Sequence, residues 1–147
     1  MNFTFKHFDQ LTLDELYQLL QLRSEVFVVE QNCIYQDIDN KDRQAYNLLG
    51  YKENQLVAYA RILPKNISYP DYCSIGRVCT KQTNRQLGLG KELMQQAILH
   101  CQELYLDTKI KISAQSYLLK FYTELGFEAI GEEYLEDDIP HRAMIKF

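Results

Sequence analysis

Apolar and polar residues recur with two different periods along this chain, and the two periods predict different elements. The segment FTFKHF near the N-terminus alternates apolar and polar residues, which is typical of a half-buried strand. The segment TLDELYQLLQLRSEVFVVE then places apolar residues at helical spacing: Leu13, Leu16, Leu20 and Phe27. Thr12 lies at capping-box spacing before Glu15, which favours a helix start there. The pattern predicts a strand followed by a helix.

The same patterns predict the remaining elements. YNLLGYKENQLVAYARIL predicts two strands with a turn at residues 52–54, and YCSIGRVCT predicts a third strand, apolar enough to be central in the sheet. A second helix is predicted from apolar residues at helical spacing: Leu93, Met94, Ala97, Ile98 and Cys101. KIKISA predicts a short strand, and YLLKFYTELGF predicts a helix that ends at Gly126. FEAIGEEY and RAMIKF predict two final strands.

The resulting order, β-α-β-β-β-α-β-α-β-β, predicts the fold class. We expect one α+β domain over residues 1–147, with three layers. Its mixed, six- to seven-stranded sheet has helices on both faces. Of the 147 residues, 46% are hydrophobic and 12% aromatic, which is enough to fill one core.

Charge and the N-terminus bear on the partners of this domain. The net charge of −4 argues against nucleic acid, because binding to phosphates needs a basic surface. A cationic or amine-bearing partner suits this charge better. MNFTFKHFDQ lacks the pattern of a signal peptide, and no apolar run is long enough to span a bilayer. We expect a cytoplasmic protein that does not enter a membrane.

The cysteines and two of the histidines show no pattern of a metal site. Cys33, Cys73, Cys79 and Cys101 form no C-x-x-C pair and have no histidine at metal-ligand spacing. We interpret them as small core residues in a reducing compartment, with a reactive thiol as the alternative. His7 and His100 are interpreted as surface or core-edge residues. We expect no metal.

The segment NRQLGLGKEL, residues 84–93, carries two glycines where a helix is predicted to begin. Such an arrangement brings backbone amides close to an anion. A P-loop would need Ser or Thr after the lysine, but Lys91 is followed by Glu92. A dinucleotide fingerprint would need a third glycine at the position of Leu93. Neither nucleotide hydrolysis nor a nicotinamide cofactor is expected, while an ordinary turn with two glycines stays open.

The motif Arg85-x-x-Gly88-x-Gly90 resembles the acyl-coenzyme A pyrophosphate loop of the GNAT superfamily of N-acetyltransferases. SAQSYLLKFYTELGF resembles the second acyl-CoA segment of that superfamily, through Phe121, Tyr122, Gly126 and Phe127. The segments VFVVEQNCIYQDIDNKD, LVAYARIL, IGRV and IPH resemble its ElaA branch, so the resemblance covers essentially the whole chain. It implies the GNAT-type acyl-CoA N-acyltransferase fold and acetyl-CoA as the cofactor.

The resemblance also implies which residues contact coenzyme A. In the family, the strand before the glycine loop pairs its main chain with the pantetheine arm, and the matching positions are Arg77, Val78 and Cys79. The Val78 N–H is expected to stabilise the oxyanion that forms when an amine attacks the thioester. Further contacts are expected from the loop and from the end of the fifth strand: Arg85, Gln86, Leu87, Gly88, Leu89, Gly90, Lys91 and Gln115.

Two residues are candidates for the proton transfers. Tyr122 matches the family position whose hydroxyl lies near the coenzyme A sulfur, and a phenol is protonated at neutral pH. The acceptor ammonium must also lose a proton, but YCSIGRVCT lacks the glutamate that many superfamily members carry there. His141, in IPH, is the first candidate for the base, because imidazole exchanges protons near neutrality. The alternatives are a packed tyrosine and a surface or capping histidine.

Candidates for acceptor binding lie mainly after the first helix. Glu30, Asp37 and Asp39 are expected to bind an amine cation or relay its proton, with a solvated acidic loop as the alternative. Other side chains are candidates for orienting a polar acceptor: Gln31, Tyr35, Arg61 and Arg77. Arg61 and Arg77 are equally plausible partners that brace the acidic loop. The tract EEYLEDD is interpreted as a solvated run, with a gate for cationic substrates as the alternative.

The main functional hypothesis is an acetyl-CoA-dependent N-acetyltransferase. It would transfer the acetyl group directly, in a ternary complex, to a primary amine of a small molecule or a protein. The missing strand glutamate motivates the alternative of a non-catalytic acyl-CoA-binding or sensing module. The third hypothesis is a structural or interaction domain that binds no cofactor. A homodimer is among the expected states, since dimers are common in related folds.

Overall fold

The structure is a computed structural model that describes residues 1–85, 87–106 and 108–147. Its strands are β1 (Asn2–His7), β2 (Tyr46–Lys52), β3 (Gln55–Leu63), β4 (Cys73–Thr80), β5 (Ile110–Gln115), β6 (Glu128–Glu136) and β7 (Ile139–Lys146). Its α-helices are α1 (Leu13–Arg23), α2 (Leu89–Leu104) and α3 (Leu119–Glu124). The elements follow one another in the predicted order.

All seven strands belong to one mixed sheet, which confirms the predicted fold class. Their order across the sheet is β1-β2-β3-β4-β5-β7-β6. Every neighbouring pair is antiparallel except β4 and β5, which run parallel. The helix α2 connects this parallel pair, because parallel strands need a crossover connection.

Helix α1 begins where the capping box predicted. The Thr12 hydroxyl accepts a hydrogen bond from the Glu15 N–H at 3.1 Å, and the Glu15 carboxylate accepts one from the Thr12 N–H at 2.8 Å. The helix then continues as a π-helical segment, Ser24–Glu30. The predicted helix therefore extends to Glu30, with its last turns wound more loosely. This segment brings the chain to the mouth of the candidate site.

Two apolar cores lie on opposite faces of the sheet because successive strand residues point to opposite faces. On one face, Leu48 of β2 belongs to a core with Leu93 and Met94 of α2. On the other face, the adjacent Leu49 belongs to a core with Leu19 of α1. The predicted helices on both faces are therefore present. No helix of the described part is long and apolar enough to cross a membrane.

The cysteines divide between the core and the site. Cys73, Cys79 and Cys101 are buried, as predicted for core residues. The sulfur atoms of Cys73 and Cys101 lie 3.4 Å apart beneath α2. Cys33 is only half-buried, and its thiol lies 3.4 Å from the Asp137 carbonyl oxygen. The contact connects the loop after α1 to the turn between β6 and β7.

The hairpin of β6 and β7 is longer than the sequence predicted. The acidic tract is exposed, as expected of a solvated run, and it also belongs to the hairpin, since Tyr134 pairs with His141 and Glu136 with Ile139 in the ladder. Asp137 and Asp138 form the turn with φ of 51° and 63°. Aspartate tolerates left-handed backbone better than most residues, so the tract closes a hairpin although it is acidic. The longer hairpin carries His141 and Glu136 to the site.

Candidate active site

A V-shaped opening between β4 and β5 forms the centre of the site. The two strands pair only at Cys73 with Ile110 and at Ser74 with Lys111. Beyond these pairs, the facing edges of β4 and β5 separate, while β3 and β7 occupy the outer edges of the two strands. Backbone N–H and C=O groups of β4 are thus left facing the opening. Such an edge can bind an extended ligand as an added strand would.

A β-bulge in β4 shapes one wall of this opening. Ala60 of β3 faces both Arg77 and Val78, since Tyr59 pairs with Cys79 and Arg61 with Gly76. Arg77 has a left-handed backbone, with φ of 48°. This conformation is uncommon for a residue that has a Cβ atom. The bulge turns the backbone around Val78 relative to a regular ladder.

The glycine loop forms the start of α2. Gly88 is the residue before the helix and has φ of 74°, which a glycine adopts without strain. Gly88 has no side chain with which to cap the helix, and the Glu92 N–H donates to the Gly88 carbonyl at 3.2 Å. The earlier amides of the first turn therefore have no helical acceptor. Together with the positive end of the helix dipole, they form a site suited to phosphate oxygens.

A cleft leads from this helix start to the opening between β4 and β5. Its lining includes most of the predicted cofactor residues: Val78, Cys79, Arg85, Gly88, Leu89, Gly90, Lys91, Gln115 and Tyr122. A Cβ atom built on Gly90 would meet only the Phe121 ring, at 3.8 Å. Leu87 is exposed and does not line the cleft. Gln86 lies outside the described residues.

Arg85 crosses the cleft and contacts the end of the first helix. Its guanidinium donates to the Glu30 carboxylate at 2.5 and 3.0 Å and to the Thr80 carbonyl at 2.9 Å. Glu30, predicted to bind the acceptor together with Asp37 and Asp39, lies apart from those two residues. It lines the cleft, and its charge is matched by Arg85.

Tyr122 lies where the cleft meets a second, inner pocket. Its ring is buried against Phe121 and Phe127, with edge-to-face centroid distances of 5.1 and 6.0 Å. Burial raises the pKa of the Tyr122 phenol to about 12, so the hydroxyl stays protonated at neutral pH. The hydroxyl has no hydrogen-bond partner among the residues that the structure describes. It is free to donate to a group in the pocket.

His141 lines the inner pocket from β7. Its Nδ1 atom lies 2.6 Å from the Ile139 carbonyl oxygen. Because a carbonyl only accepts, Nδ1 carries the proton in the neutral ring, and Nε2 presents a lone pair. Glu136 places a carboxylate oxygen 3.4 Å from Nε2, and the Tyr134 ring stacks beside the imidazole at 6.2 Å. The lone pair of Nε2 therefore lies at the side of the ring that faces Glu136.

The remaining predicted acceptor residues separate into two groups. Gln31 and Tyr35 line the inner pocket. Asp39 instead contacts Arg61 and Arg77, and Asp37 contacts Arg23 and Arg77. Each of the two carboxylates is therefore matched by positive charge, which favours the bracing interpretation over binding of an amine cation. The Tyr35 hydroxyl donates to Asp37 at 3.0 Å, and burial together with that carboxylate raises the pKa of Tyr35.

The paired charges form a closed ring of six side chains, which we call the arginine–aspartate ring: Arg23, Asp37, Arg77, Asp39, Arg61 and Asp42. Contacts between neighbours range from 2.6 to 3.3 Å. Burial alone would lower the pKa of Arg23, but hydrogen bonding to Asp42 and the nearby carboxylates raise it. Burial alone would raise the pKa of Asp39, but Arg61 holds it below its usual value. Arg23 and Asp42 were not predicted from the sequence.

Other residues of the inner pocket were also missed. Five further residues line it: Phe27, Cys33, Ser113, Glu136 and Asp137. The sequence predicts Phe27 on the helix and Cys33 in the core, and it gives Glu136 and Asp137 a place in the site only through the alternative of a gate for cationic substrates. The presence of Glu136 and Asp137 in the tract that precedes IPH was the one available signal, because a hairpin there would carry them beside His141. In the described part, no group of three His, Cys, Asp or Glu side chains is arranged to hold a metal ion.

Comparison with known proteins agrees with this geometry. The family model described as "Acetyltransferase (GNAT) domain" matches residues 10–147. Protein ElaA of Escherichia coli K12 is 43% identical over 142 residues, which cover 95% of this chain and 92% of ElaA. The crystal structure of Escherichia coli ElaA has a TM-score of 0.93 and 40% identity over 100% of both chains. That of an acyl-CoA N-acyltransferase from Pseudomonas aeruginosa has a TM-score of 0.93 and 44% identity, again over 100% of both.

The likenesses extend over nearly the whole chain, beyond the glycine loop and the Phe-Tyr-x-x-x-Gly-Phe segment. They confirm the fold and the family that the sequence resembles. They also support transfer of an acyl group from coenzyme A as the type of reaction. The chain belongs to the GNAT acetyltransferase family and is similar over nearly its full length to ElaA.

Proposed function

We propose that the protein is an N-acetyltransferase that moves an acetyl group from acetyl-CoA to a primary amine, directly and within a ternary complex. One observation carries the proposal. The opening between β4 and β5 connects an anion-binding helix start to a pocket that contains both a protonated phenol and an imidazole lone pair. Acyl-CoA is an elongated ligand with phosphates at one end and a thioester at the other, which suits such a path.

The residues of the cleft fit coenzyme A from one end to the other. Amides at the start of α2, with Gly88 and Gly90 leaving the backbone accessible, bind the pyrophosphate. The free edge of β4 at Arg77–Cys79 pairs with the pantetheine arm. The bound cofactor supplies an acetyl group activated as a thioester. Val78 donates its N–H to the carbonyl oxygen of that group as negative charge develops there.

His141 removes the proton from the acceptor. An alkyl ammonium has a pKa of about 10.4 and is not nucleophilic until it loses this proton. The Nε2 lone pair accepts the proton, and Glu136 at 3.4 Å stabilises the resulting imidazolium. The hydrogen bond from Nδ1 to the Ile139 carbonyl holds the ring in the required tautomer.

Tyr122 assists departure of the thiol. Its hydroxyl is protonated, buried and open toward the pocket, so it donates a hydrogen bond to the sulfur as negative charge collects there. The pKa of about 12 is well above that of a thiol, about 8.5. We therefore assign Tyr122 to stabilisation of the leaving thiolate, with the acceptor nitrogen as the final source of the proton.

The acceptor enters at the side of the pocket formed by the β6–β7 turn. Glu136 and Asp137 line that side, and Gln31 and Tyr35 line the loop opposite. These groups are polar or negative, which suits an amine carried by a small molecule or by a protein side chain. The expectations of a cytoplasmic location and of a homodimer remain part of the proposal.

The proposal is tested by measuring thiol release from acetyl-CoA with polyamines, amino acids, aminoglycosides and lysine peptides. We expect release that depends on one class of amine. The melting temperature is measured beside it, because a ligand that binds only the folded state raises that temperature. A rise with acetyl-CoA but no thiol release with any amine would support the binding or sensing alternative, which the strand without a glutamate favours. No rise and no release would contradict both.

A further inference from the structure

We propose that the arginine–aspartate ring is a positioning device that holds the β4 bulge in its left-handed conformation and thereby aims the Val78 N–H into the site. The inference rests on the proposed function for the role of Val78. It assigns Arg23, Arg61 and Arg77 and their three aspartate partners to the geometry of the oxyanion donor rather than to the acceptor.

The backbone of Arg77 adopts a disfavoured conformation. A residue with a Cβ atom is disfavoured at φ of 48° and persists there only when its surroundings impose it. Arg77 and Val78 together face the single residue Ala60, so the bulge depends on this conformation. A relaxed residue 77 would return β4 toward a regular ladder and turn the Val78 N–H away from its present direction.

Contacts with Asp37 and Asp39 hold the Arg77 side chain. Its Nε atom lies 2.7 Å from an Asp37 carboxylate oxygen. Its Nη2 atom donates to the Asp37 carbonyl oxygen at 2.9 Å and to the Asp39 carboxylate at 3.3 Å. The planar guanidinium therefore contacts two side chains and one main-chain group of the same loop. A planar guanidinium held through two of its nitrogen atoms is fixed in orientation more firmly than a single charge would be.

The loop that carries Asp37 and Asp39 is itself held in place by Arg23 and Arg61. Arg23, fully buried on α1, contacts Asp37 at 2.7 Å and Asp42 at 2.6 Å. Arg61 of β3 donates to both Asp39 carboxylate oxygens at 2.8 Å and to Asp42 at 3.0 Å. The ring closes because each aspartate contacts two arginines and each arginine contacts two aspartates. Its formal charges cancel, so burial leaves no unmatched ion.

Arg61 lies beside the bulge, on the neighbouring strand β3. It pairs with Gly76 in the β3–β4 ladder, immediately before the bulge. The ring thus contacts the region of the bulge twice, through Arg77 on β4 itself and through Arg61 on the neighbouring strand β3. This arrangement explains why the acidic loop carries Asp37 and Asp39 without offering either carboxylate to an amine.

The test compares Arg77→Gly with Arg77→Ala. Both variants lose the same ion pairs, but only glycine adopts a left-handed backbone without strain. The disfavoured conformation of an alanine predicts that the glycine variant keeps a kcat about five- to thirtyfold higher than the alanine variant. Both are expected to fall below wild type in kcat more than they change the KM for acetyl-CoA. The matched control is Arg43→Gly against Arg43→Ala, since Arg43 is exposed and outside the ring.

Ligand-free crystal structures of the two Arg77 variants provide a readout that does not depend on turnover. We expect residue 77 to keep a positive φ in the glycine variant and a negative φ in the alanine variant. Equal kcat in the two variants, or a positive φ in both, would overturn the proposal. If either variant fails to fold, Arg77→Lys replaces the pair. It keeps the charge but not the fork, and wild-type kcat in that variant would also overturn the proposal. Absence of turnover in the wild type would instead reject the proposed function and leave the φ comparison standing.

Discussion

At the residue scale, His141 and Tyr122 are the two groups of the inner pocket that we propose take part in proton transfer and hydrogen bonding during the reaction. They lie on β7 and α3, far apart along the chain, yet line the same pocket. Their surroundings set opposite roles. The Ile139 carbonyl oxygen accepts from Nδ1 of the neutral ring, which leaves the lone pair on Nε2, and burial keeps the Tyr122 phenol protonated. In the proposed reaction, the imidazole therefore accepts a proton and the phenol donates a hydrogen bond.

Replacement of His141 by glutamine tests the base. We expect kcat to fall by about a hundredfold or more, the usual contribution of general-base catalysis. The rise of kcat/KM with pH should move toward the pKa of the free acceptor amine, about 10.4, because the amine must then lose its proton unaided. The measurement is a pH–rate profile of both proteins. His7→Gln is the control, since His7 lies outside the pocket, and an unchanged profile for His141→Gln would remove this residue from the reaction.

Tyr122→Phe tests the hydrogen-bond donor. The substitution removes one oxygen and keeps the packing against Phe121 and Phe127. We expect kcat to fall about tenfold or more while the KM for acetyl-CoA and the melting temperature change little, because the hydroxyl acts on charge that forms only during the reaction. Steady-state kinetics with acetyl-CoA measures kcat and KM for the wild type and the variant. A raised KM at constant kcat would show that Tyr122 only helps to bind the cofactor.

At the element scale, the start of α2 is suited to an anion through its backbone. The residue before the helix is a glycine, which has no side chain with which to cap the helix amides. The Arg85–Glu30 pair closes one side of the cleft without adding net charge. Affinity for the pyrophosphate should therefore depend mainly on access to the backbone amides.

Three glycine-to-alanine variants separate backbone strain from access. Gly88→Ala should lose about 1 kcal/mol of stability or more and raise the KM for acetyl-CoA, since φ is 74° there. Gly90→Ala should raise the KM alone, because its Cβ atom meets only the Phe121 ring, at 3.8 Å, on the protein side. Gly131→Ala, with φ of 68° in β6, is the control that lowers stability alone. Thermal unfolding measures the stability of all three variants, and steady-state kinetics measures their KM for acetyl-CoA. An unchanged KM in Gly90→Ala would argue against binding of the pyrophosphate at the start of α2.

At the scale of the whole molecule, the arginine–aspartate ring connects α1, the loop after it, β3 and β4. Its buried charges make stability depend on pH. The pKa of Asp39 is lowered in the folded protein, so its contribution is fully present above the unfolded pKa of about 3.9. That contribution is lost as the pH falls through the folded pKa.

Asp39→Asn should reveal this linkage. At pH 7 the variant should be less stable than wild type, because Arg61 and Arg77 lose a charged partner. Below about pH 4 the difference should shrink, since the Asp39 carboxylate of the unfolded wild type then takes up a proton that the folded protein does not bind. Denaturant unfolding between pH 3 and 7, with the exposed Asp9→Asn as the control, measures it. A difference that stays constant over this range would contradict the assigned role of Asp39.

The order of elements and the two helix starts could be predicted because they are encoded locally. Gly88 and Gly90 lie beside the helix they begin, and the capping box lies beside α1. The Arg85–Glu30 pair could not be predicted, because Glu30 is near Asp37 in sequence whereas Arg85 is 55 residues away. Arg23 was missed because its partners follow in a loop without periodicity. A charged residue next to Leu22, on the buried face of α1, was the only signal.

The central claim is direct transfer of an acetyl group to an amine within this pocket. The most direct measurement follows coenzyme A and the acetylated amine together in a single reaction, with the intact mass of the protein recorded during turnover. We predict equal amounts of the two products, formation only when the amine is present, and a protein mass that never increases by an acetyl group. Thiol release without an acetylated amine, or an acetylated protein intermediate that forms before the amine is added, would contradict the account.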